Sequence, residues 1–156
     1  IILVVAVVAV AVFCIWQVIN EKKHLVKEEN DIVNSESLFK RYSFSLGHMK
    51  QEVLVIIILN KNKKIVYEKV LYQGNDTKMP IDYRQIIHLL VMHNAYYFYL
   101  IHNHPNDMTL PSNADIEFTE KMIKKARNIN VELLDHLIVT LSGYYSFLNE
   151  QFYSNS

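Results

Sequence analysis

The residues best suited to chemistry lie between His102 and Asp115, in a segment that reads HNHPNDMTLPSNAD. His102 and His104 are two positions apart, so an extended backbone directs both imidazoles to the same face. Two imidazoles and the Asp115 carboxylate make a three-ligand zinc set that leaves the fourth tetrahedral position for water, as in catalytic sites. The segment therefore predicts a catalytic Zn²⁺ site, although iron(II) or manganese suits the same donors.

Each of these residues also has a simpler interpretation. An isolated pair of histidines can end a strand with ordinary hydrogen bonds. Ser112 and Asp115 fit a capping box, in which the acid returns to the backbone N–H of the capping residue. The combination favours the metal site, because the helix that begins at Ser112 directly follows the strand that carries the histidines, and its first turn faces the same cleft.

Hydrolysis at such a site requires a group that moves protons, and Glu52 is the candidate. It is a carboxylate at the start of an otherwise apolar strand, where burial is costly unless the group has a role. The alternative is that Glu52 ends the strand at the surface. The predicted reaction is attack by a zinc-bound water of pKa ~7, with Glu52 taking its proton and passing it to the leaving amine.

The surrounding pattern supplies the elements that position these residues. Ser35 is expected to cap a helix that Gly47 ends. The long helix after Ser112 is expected to bury Ile116, Thr119, Met122, Ile123 and Ala126. Strands are expected at residues 52–59, 65–72, 96–101, 133–140 and 144–148. The order β-β-α-β-α-β-β predicts an α/β fold, with a mixed β-sheet flanked by helices.

The first residues of the chain have two interpretations. Residues 1–19 carry no charge, and at ~1.5 Å per residue they reach roughly 28 Å, enough to span a bilayer core. The basic residues that follow would then place the domain in the cytoplasm. A core helix is the alternative. The expected organisation is an apolar helix at 1–24 (linker helix or membrane span), a polar linker at 25–34, a domain at 35–152 and a tail at 153–156.

Composition excludes several classes of protein. The 156 residues carry 16 basic and 16 acidic side chains, so no overall field attracts nucleic acid, and direct nucleic-acid binding is not expected. Cys14 is the single cysteine, which excludes an internal disulfide and cysteine-rich zinc modules. Nothing in the sequence indicates an oligomeric state.

The candidate ligand and catalytic residues together resemble a known motif. Glu52, His102-x-His104, seven intervening residues, Ser112, two more and Asp115 are similar to the motif of the JAB/MPN metallopeptidases, also called JAMM. HNHP and PSNAD resemble the bacterial RadC branch of that family. The similarity extends to Gln51, to LDHLI at 134–138 and to GYYSF at 143–147, so it covers residues 33–152.

The resemblance implies a cytidine-deaminase-like α-β-α sandwich in the bacterial cytoplasm. If residues 1–19 span a membrane, the domain would instead be anchored on its cytoplasmic side. It implies that His102, His104 and Asp115 hold zinc, that Glu52 is the general acid/base, and that Ser112 donates to the oxyanion. The substrate would be a peptide or isopeptide bond in a peptide or protein. The alternative is a non-catalytic RadC-type accessory module in DNA repair or mobile-element biology.

The pattern also assigns a role to one further histidine and excludes one class of nuclease. His136 is expected to be a structural histidine, with a position just behind the metal ligands as the alternative. The letters HNH also occur in a class of nucleases, but those nucleases spread the three residues over a ββα-metal motif. Three consecutive residues on one strand therefore exclude that class.

Overall fold

A computed structural model describes residues 33–75, 80–105 and 108–154. The predicted apolar helix at 1–24 lies outside the described residues, as does the predicted linker except for Val33 and Asn34. Among the helices of the described ranges, none has the length and hydropathy that crossing a bilayer requires.

The described ranges contain three helices and one mixed sheet. The helices are α1 (Ser35–Gly47), α2 (Tyr83–Met92) and α3 (Asn113–Arg127). The strands are β1 (Glu52–Leu59), β2 (Ile65–Gly74), β3 (Tyr97–Asn103), β4 (Glu132–Val139), β5 (Gly143–Ser146) and β6 (Gln151–Ser154). Their order in the sheet is β2-β1-β3-β4-β5-β6. Only β3 and β4 pair in parallel among these strands, so the predicted mixed sheet is confirmed.

The sheet is covered by helices on both faces. Every residue of β1 after Glu52 is buried, because alternate residues pack against different helices. Val53, Val55 and Ile57 face the α1 side, where Leu38 and Phe39 lie. The intervening residues of β1 face the other side, in a cluster formed with α2 and α3 (Leu54, Ile56, Ile58, Ile86, Leu90, Phe118, Met122). The fold is the expected α/β sandwich, with one helix on one face and two on the other.

Three local predictions are wrong. The α1 cap is Asn34 rather than Ser35: its side chain accepts from the Ser37 N–H at 2.8 Å, and Ser37 bonds the Asn34 backbone in return. In α3, Ile116 is 41% exposed and Phe118 is buried instead, because the helix turns Asp115 inward. The strand β6 was not predicted, since it has only four residues and three of them are exposed, and it includes two residues that were expected in a tail, Tyr153 and Ser154.

Candidate metal centre

The ends of two neighbouring elements bring the predicted ligands together. His102 lies in β3, His104 follows the last residue of that strand, and Asp115 is the third residue of α3. The register pairs Leu54 of β1 with His102, so Glu52, two residues earlier, is level with His104. The side chains of Glu52, His102, His104 and Asp115 offer ligand atoms that all lie within 4.8 Å of one another. These four predicted site residues therefore form one cluster, which could bind a metal ion.

The spacing of the donor atoms suits a small cation. The two Nε2 atoms of His102 and His104 are 3.0 Å apart. Asp115 directs Oδ1 to His102 Nε2 and Oδ2 to His104 Nε2, each at 3.4 Å. A tetrahedral Zn²⁺ with ligand bonds of ~2.0–2.1 Å separates its ligand atoms by roughly 3.3 Å. The residues present therefore fit a zinc ion in size as well as in donor type.

The ring of His104 is oriented by the loop that follows it. Its Nδ1 lies 2.8 Å from the backbone carbonyl oxygen of Met108. A carbonyl can only accept, so Nδ1 carries the proton and donates it. The neutral His104 ring then presents an Nε2 lone pair to the cluster, which is the form that binds a metal ion.

The pKa values of the three candidate ligands are shifted by burial and by one another. Burial lowers the pKa of His102 to about 4, against the opposing charge of Asp115. Burial also lowers the pKa of His104, but Asp115, the Met108 carbonyl and the charge of Glu52 together outweigh it, so the net pKa is raised. For Asp115, burial raises the pKa, yet His104, His102 and Ser112 together hold it below its usual range. Cation binding would therefore compete with protonation of His104.

Glu52 is half-buried at the edge of the cluster. Burial and then the charge of Asp115 raise the pKa of its carboxyl, and His104 only partly offsets them. A carboxyl with a raised pKa takes up and returns a proton more readily near neutral pH. Glu52 thus begins β1 in an intermediate position, neither fully exposed nor part of the core.

Asn103 is a residue of the site that sequence reasoning missed. It is 1% exposed and points away from the histidines. Its Oδ1 accepts from the Val53 N–H at 2.8 Å, and its Nδ2 donates to the Gln51 carbonyl at 3.0 Å. The side chain thus holds the backbone on both sides of Glu52. The alternation of β3 was the available signal, because it sends the residue between two clustered histidines to the opposite face.

Ser112 forms the predicted capping box and lies beside the cluster at the same time. Its Oγ accepts from the Asp115 N–H at 3.2 Å and donates to Asp115 Oδ2 at 2.6 Å. The Ser112 N–H donates to the same Oδ2 at 2.8 Å. Capping leaves Oδ1 of Asp115 directed at His102, so the cap and the metal ligand are compatible roles for one carboxylate.

His136 lies behind His102, one layer further into the domain. It is fully buried, and its Nε2 is 2.8 Å from His102 Nδ1. Its Nδ1 is 2.6 Å from the Thr119 Oγ1 of α3. Burial, followed by the neighbouring His102, holds the pKa of His136 well below its usual value. His136 is therefore a buried histidine with partners at both ring nitrogens, as expected of a structural histidine, and it also lies directly behind the cluster.

A cleft of about 1080 Å³ opens onto the cluster. Glu52, His104 and Asp115 line it with Ser112. The rest of the wall is largely apolar (Ile81, Tyr83, Met108, Leu110, Phe118). Met108 and Leu110 are 58% and 72% exposed. The site is therefore reachable from solvent through an opening with an apolar rim.

A mixed sheet between helices, with a histidine pair and two carboxylates at one end, defines an α/β domain with a candidate metal centre. A family model described as "RadC-like JAB domain" matches residues 32–152. The chain therefore belongs to the RadC-like JAB domain family.

Curated relatives support this membership. The chain is 36% identical over 132 residues to a UPF0758 protein of Streptococcus sanguinis, covering 85% of this chain and 57% of that protein. A UPF0758 protein of Streptococcus gordonii is 37% identical over 123 residues, 79% of this chain and 54% of that protein. A UPF0758 protein of Streptococcus suis is 36% identical over 132 residues, covering 85% of this chain and 53% of that protein. The chain spans about half the length of these relatives.

Proposed function

We propose that this domain is a zinc-dependent hydrolase of peptide or isopeptide bonds. The observation that carries the proposal is the cluster of Glu52, His102, His104 and Asp115 at the base of an open cleft. Two imidazoles and one carboxylate are a donor set typical of catalytic zinc, and a separate carboxylate beside them supplies the proton-transfer group.

The metal ligands are His102, His104 and Asp115. When bound there, zinc supplies a Lewis acid that polarises a carbonyl and lowers the pKa of a water molecule. His102 has no exposed surface, and Asp115 is held by three hydrogen bonds with Ser112. Rigid donors of this kind hold a cation without rearranging during turnover.

Glu52 transfers the proton. Its carboxyl is half-buried and level with His104, and its pKa is raised by burial and by Asp115. It accepts a proton from the attacking water and returns it to the leaving amine, which allows the C–N bond to break. Asn103 keeps this carboxyl in place by bonding the backbone before and after it.

Ser112 stabilises the developing oxyanion in this proposal. Its hydroxyl hydrogen is directed at Asp115 Oδ2, so donation to substrate exchanges that bond for one to the oxyanion. The Ser112 N–H continues to hold Asp115 during the exchange. A donor that bonds the oxyanion more strongly than the substrate carbonyl lowers the barrier by ~2.7–4 kcal/mol.

The cleft favours a peptide as the substrate. Its apolar wall and the exposed Met108 and Leu110 at its rim suit side chains that flank an amide bond. The whole chain carries 16 charges of each sign, which gives no electrostatic support for nucleic acid as the substrate.

The test compares Glu52→Gln with Glu120→Gln, a matched change at an exposed acid of α3. The full zinc-loaded chain is incubated with a peptide mixture and with isopeptide-linked peptides, and new termini are identified by mass spectrometry. We expect cleavage by wild type and Glu120→Gln, and a loss of at least about 100-fold in Glu52→Gln with zinc content unchanged. Wild-type rates in Glu52→Gln would refute the role of Glu52. A zinc-bound wild type that cleaves nothing in the mixture would favour the non-catalytic accessory module.

A further inference from the structure

His102 has no loop carbonyl to orient it, unlike His104, and its second ring nitrogen faces a buried chain of polar groups. This chain runs from His102 Nδ1 to His136 Nε2 at 2.8 Å, and from His136 Nδ1 to Thr119 Oγ1 at 2.6 Å. It ends at the backbone carbonyl of Asp115, 2.6 Å from the Thr119 hydroxyl. All three side chains are buried.

The direction of each hydrogen bond follows from the end of the chain. The Asp115 carbonyl can only accept, so the single hydroxyl hydrogen of Thr119 is donated to it. The Thr119 oxygen then faces His136 with lone pairs only, and His136 Nδ1 must donate its hydrogen to it.

The hydrogen bond to His136 in turn assigns the hydrogen of His102 to Nδ1. A neutral His136 that carries its hydrogen on Nδ1 has a bare Nε2, which accepts from His102 Nδ1–H. His102 is therefore bare at Nε2, the atom that lies 3.0 Å from His104 Nε2 and 3.4 Å from Asp115 Oδ1. The opposite tautomer would point an N–H at the centre and leave no lone pair for a cation.

Packing keeps the His136 ring in the orientation that this chain requires. Phe147 stacks on it with ring centroids 4.7 Å apart and an angle of 11° between the planes. Phe118 of α3 meets it edge-on at 5.8 Å. The ring is therefore held between two aromatic side chains, and its nitrogens cannot turn away from Thr119 and His102 without repacking the core.

We propose that Thr119 and His136 are positioning residues that set the tautomer of His102, so that its Nε2 lone pair is presented to the metal centre before a cation arrives. Thr119 lies one helical turn after Asp115 on α3. One face of one helix thus supplies a ligand and also fixes the protonation state of another ligand. This inference rests on the proposed metal centre, but it does not depend on hydrolysis.

The test uses a matched pair of substitutions at Thr119 in the full chain. Thr119→Val removes the hydroxyl with little change in shape, and Thr119→Ser keeps it. Without an acceptor for its Nδ1–H, His136 is expected to move its hydrogen to Nε2, which forces His102 to carry its own hydrogen on Nε2. Long-range ¹H–¹⁵N spectra of the metal-free protein report which nitrogen of His102 is protonated, and competition with a chelator measures zinc affinity.

We expect Nδ1–H on His102 in wild type and Thr119→Ser, and Nε2–H in Thr119→Val with zinc affinity lower by about 10–100-fold. Unchanged affinity in Thr119→Val would overturn the inference. So would weaker binding with the His102 tautomer unchanged, because only packing would then be affected. A wild type that shows Nδ1–H on His102 but binds no zinc would defeat the metal centre and leave the tautomer assignment intact.

A second pair of variants keeps the inference testable if Thr119→Val does not fold. In His136→Gln the side-chain amide oxygen can accept from His102 Nδ1–H, whereas in His136→Leu nothing can. We expect the Gln variant to bind zinc at least about tenfold more tightly than the Leu variant. Equal affinities would overturn the role of His136.

Discussion

Asp135 joins three parts of the domain through one buried carboxylate. Its side chain is 2% exposed. Oδ2 accepts from the hydroxyls of Ser35 at 2.7 Å and Ser146 at 2.6 Å. Oδ1 accepts from the backbone N–H groups of His136 at 2.8 Å and Leu148 at 2.9 Å. The acid therefore connects the start of α1, β4 and the turn after β5, directly beside His136 of the metal centre.

Asp135→Ala should be strongly destabilising, and the contacts give the magnitude. The Ser35 hydroxyl and the Leu148 N–H are only partly buried and can turn to solvent, but the Ser146 hydroxyl and the His136 N–H are buried. Each buried donor left without a partner costs ~1–3 kcal/mol, so we expect a loss of about 2–6 kcal/mol in the free energy of unfolding. That is a large fraction of the ~5–15 kcal/mol typical of a folded domain. Asp135→Asn keeps one acceptor oxygen, and we expect it to lose about 1–2 kcal/mol.

Urea unfolding of the full chain, followed by circular dichroism, measures these losses from the midpoint at constant slope. Glu120→Ala, at an exposed acid of α3, is the control and should leave the midpoint unchanged within about 0.5 kcal/mol. A loss below about 1 kcal/mol in Asp135→Ala, or equal losses for Ala and Asn, would refute the account of this carboxylate.

Three further predictions concern the same domain. Asn103→Ala removes the bonds that hold the backbone around Glu52, and we expect a loss of about 1–3 kcal/mol in urea unfolding with zinc affinity retained; unchanged stability would contradict this. In metal-free protein, burial lowers the pKa of His102 from 6.5 to about 4 and that of His136 in the same direction. The unfolded chain therefore binds more protons in this window, so the free energy of unfolding should fall as the pH decreases from about 6.5 to about 4. The raised pKa values of Glu52 and His104 act in the opposite direction, but we expect His102 and His136 to dominate because both are fully buried. Equal urea midpoints at pH 7 and pH 5 would refute the prediction. Asn34→Ala removes the α1 cap and should cost about 1 kcal/mol by the same assay, whereas no shift would show that the cap is not needed.

The sequence predicts the sheet well where burial is unambiguous. The run 52–59 is apolar at nearly every position because helices cover both of its faces, and β1 has these bounds. The strand that carries the histidines was expected at 96–101 and is observed at Tyr97–Asn103. By contrast, β6 is short and largely exposed, so no hydrophobic period marks it.

The clustering of the site residues was also predictable, but the contacts behind them were not. Spacing of two along a strand and a helix start close behind it are local features, and they place His102, His104 and Asp115 together. The bonds of Thr119 with His136 and of Asp135 with Ser35 join residues far apart in sequence. Such pairs depend on how the helices pack against the sheet. No periodic pattern of residue types in a single sequence specifies that packing.

The rotation of α3 shows that hydrophobicity alone does not identify the buried face of a helix. Hydrophobicity alone favours Ile116 on the inner face, yet Ile116 is exposed and Asp115 is buried. Asp115 is inward because the capping box and the two histidines bind its carboxylate. Polar contacts at the start of α3 thus determine which face of the helix is buried, which its apolar pattern alone does not specify.

The most direct test of the metal centre is the zinc content of the full chain, measured by mass spectrometry of the element after purification and again after zinc is supplied. Wild type is compared with His104→Ala and Asp115→Ala, and with His88→Ala as a control at an exposed histidine. The proposed centre predicts about one zinc per chain in wild type and His88→Ala, and none in the other two variants. A wild-type chain that stays free of metal after zinc is supplied would contradict it.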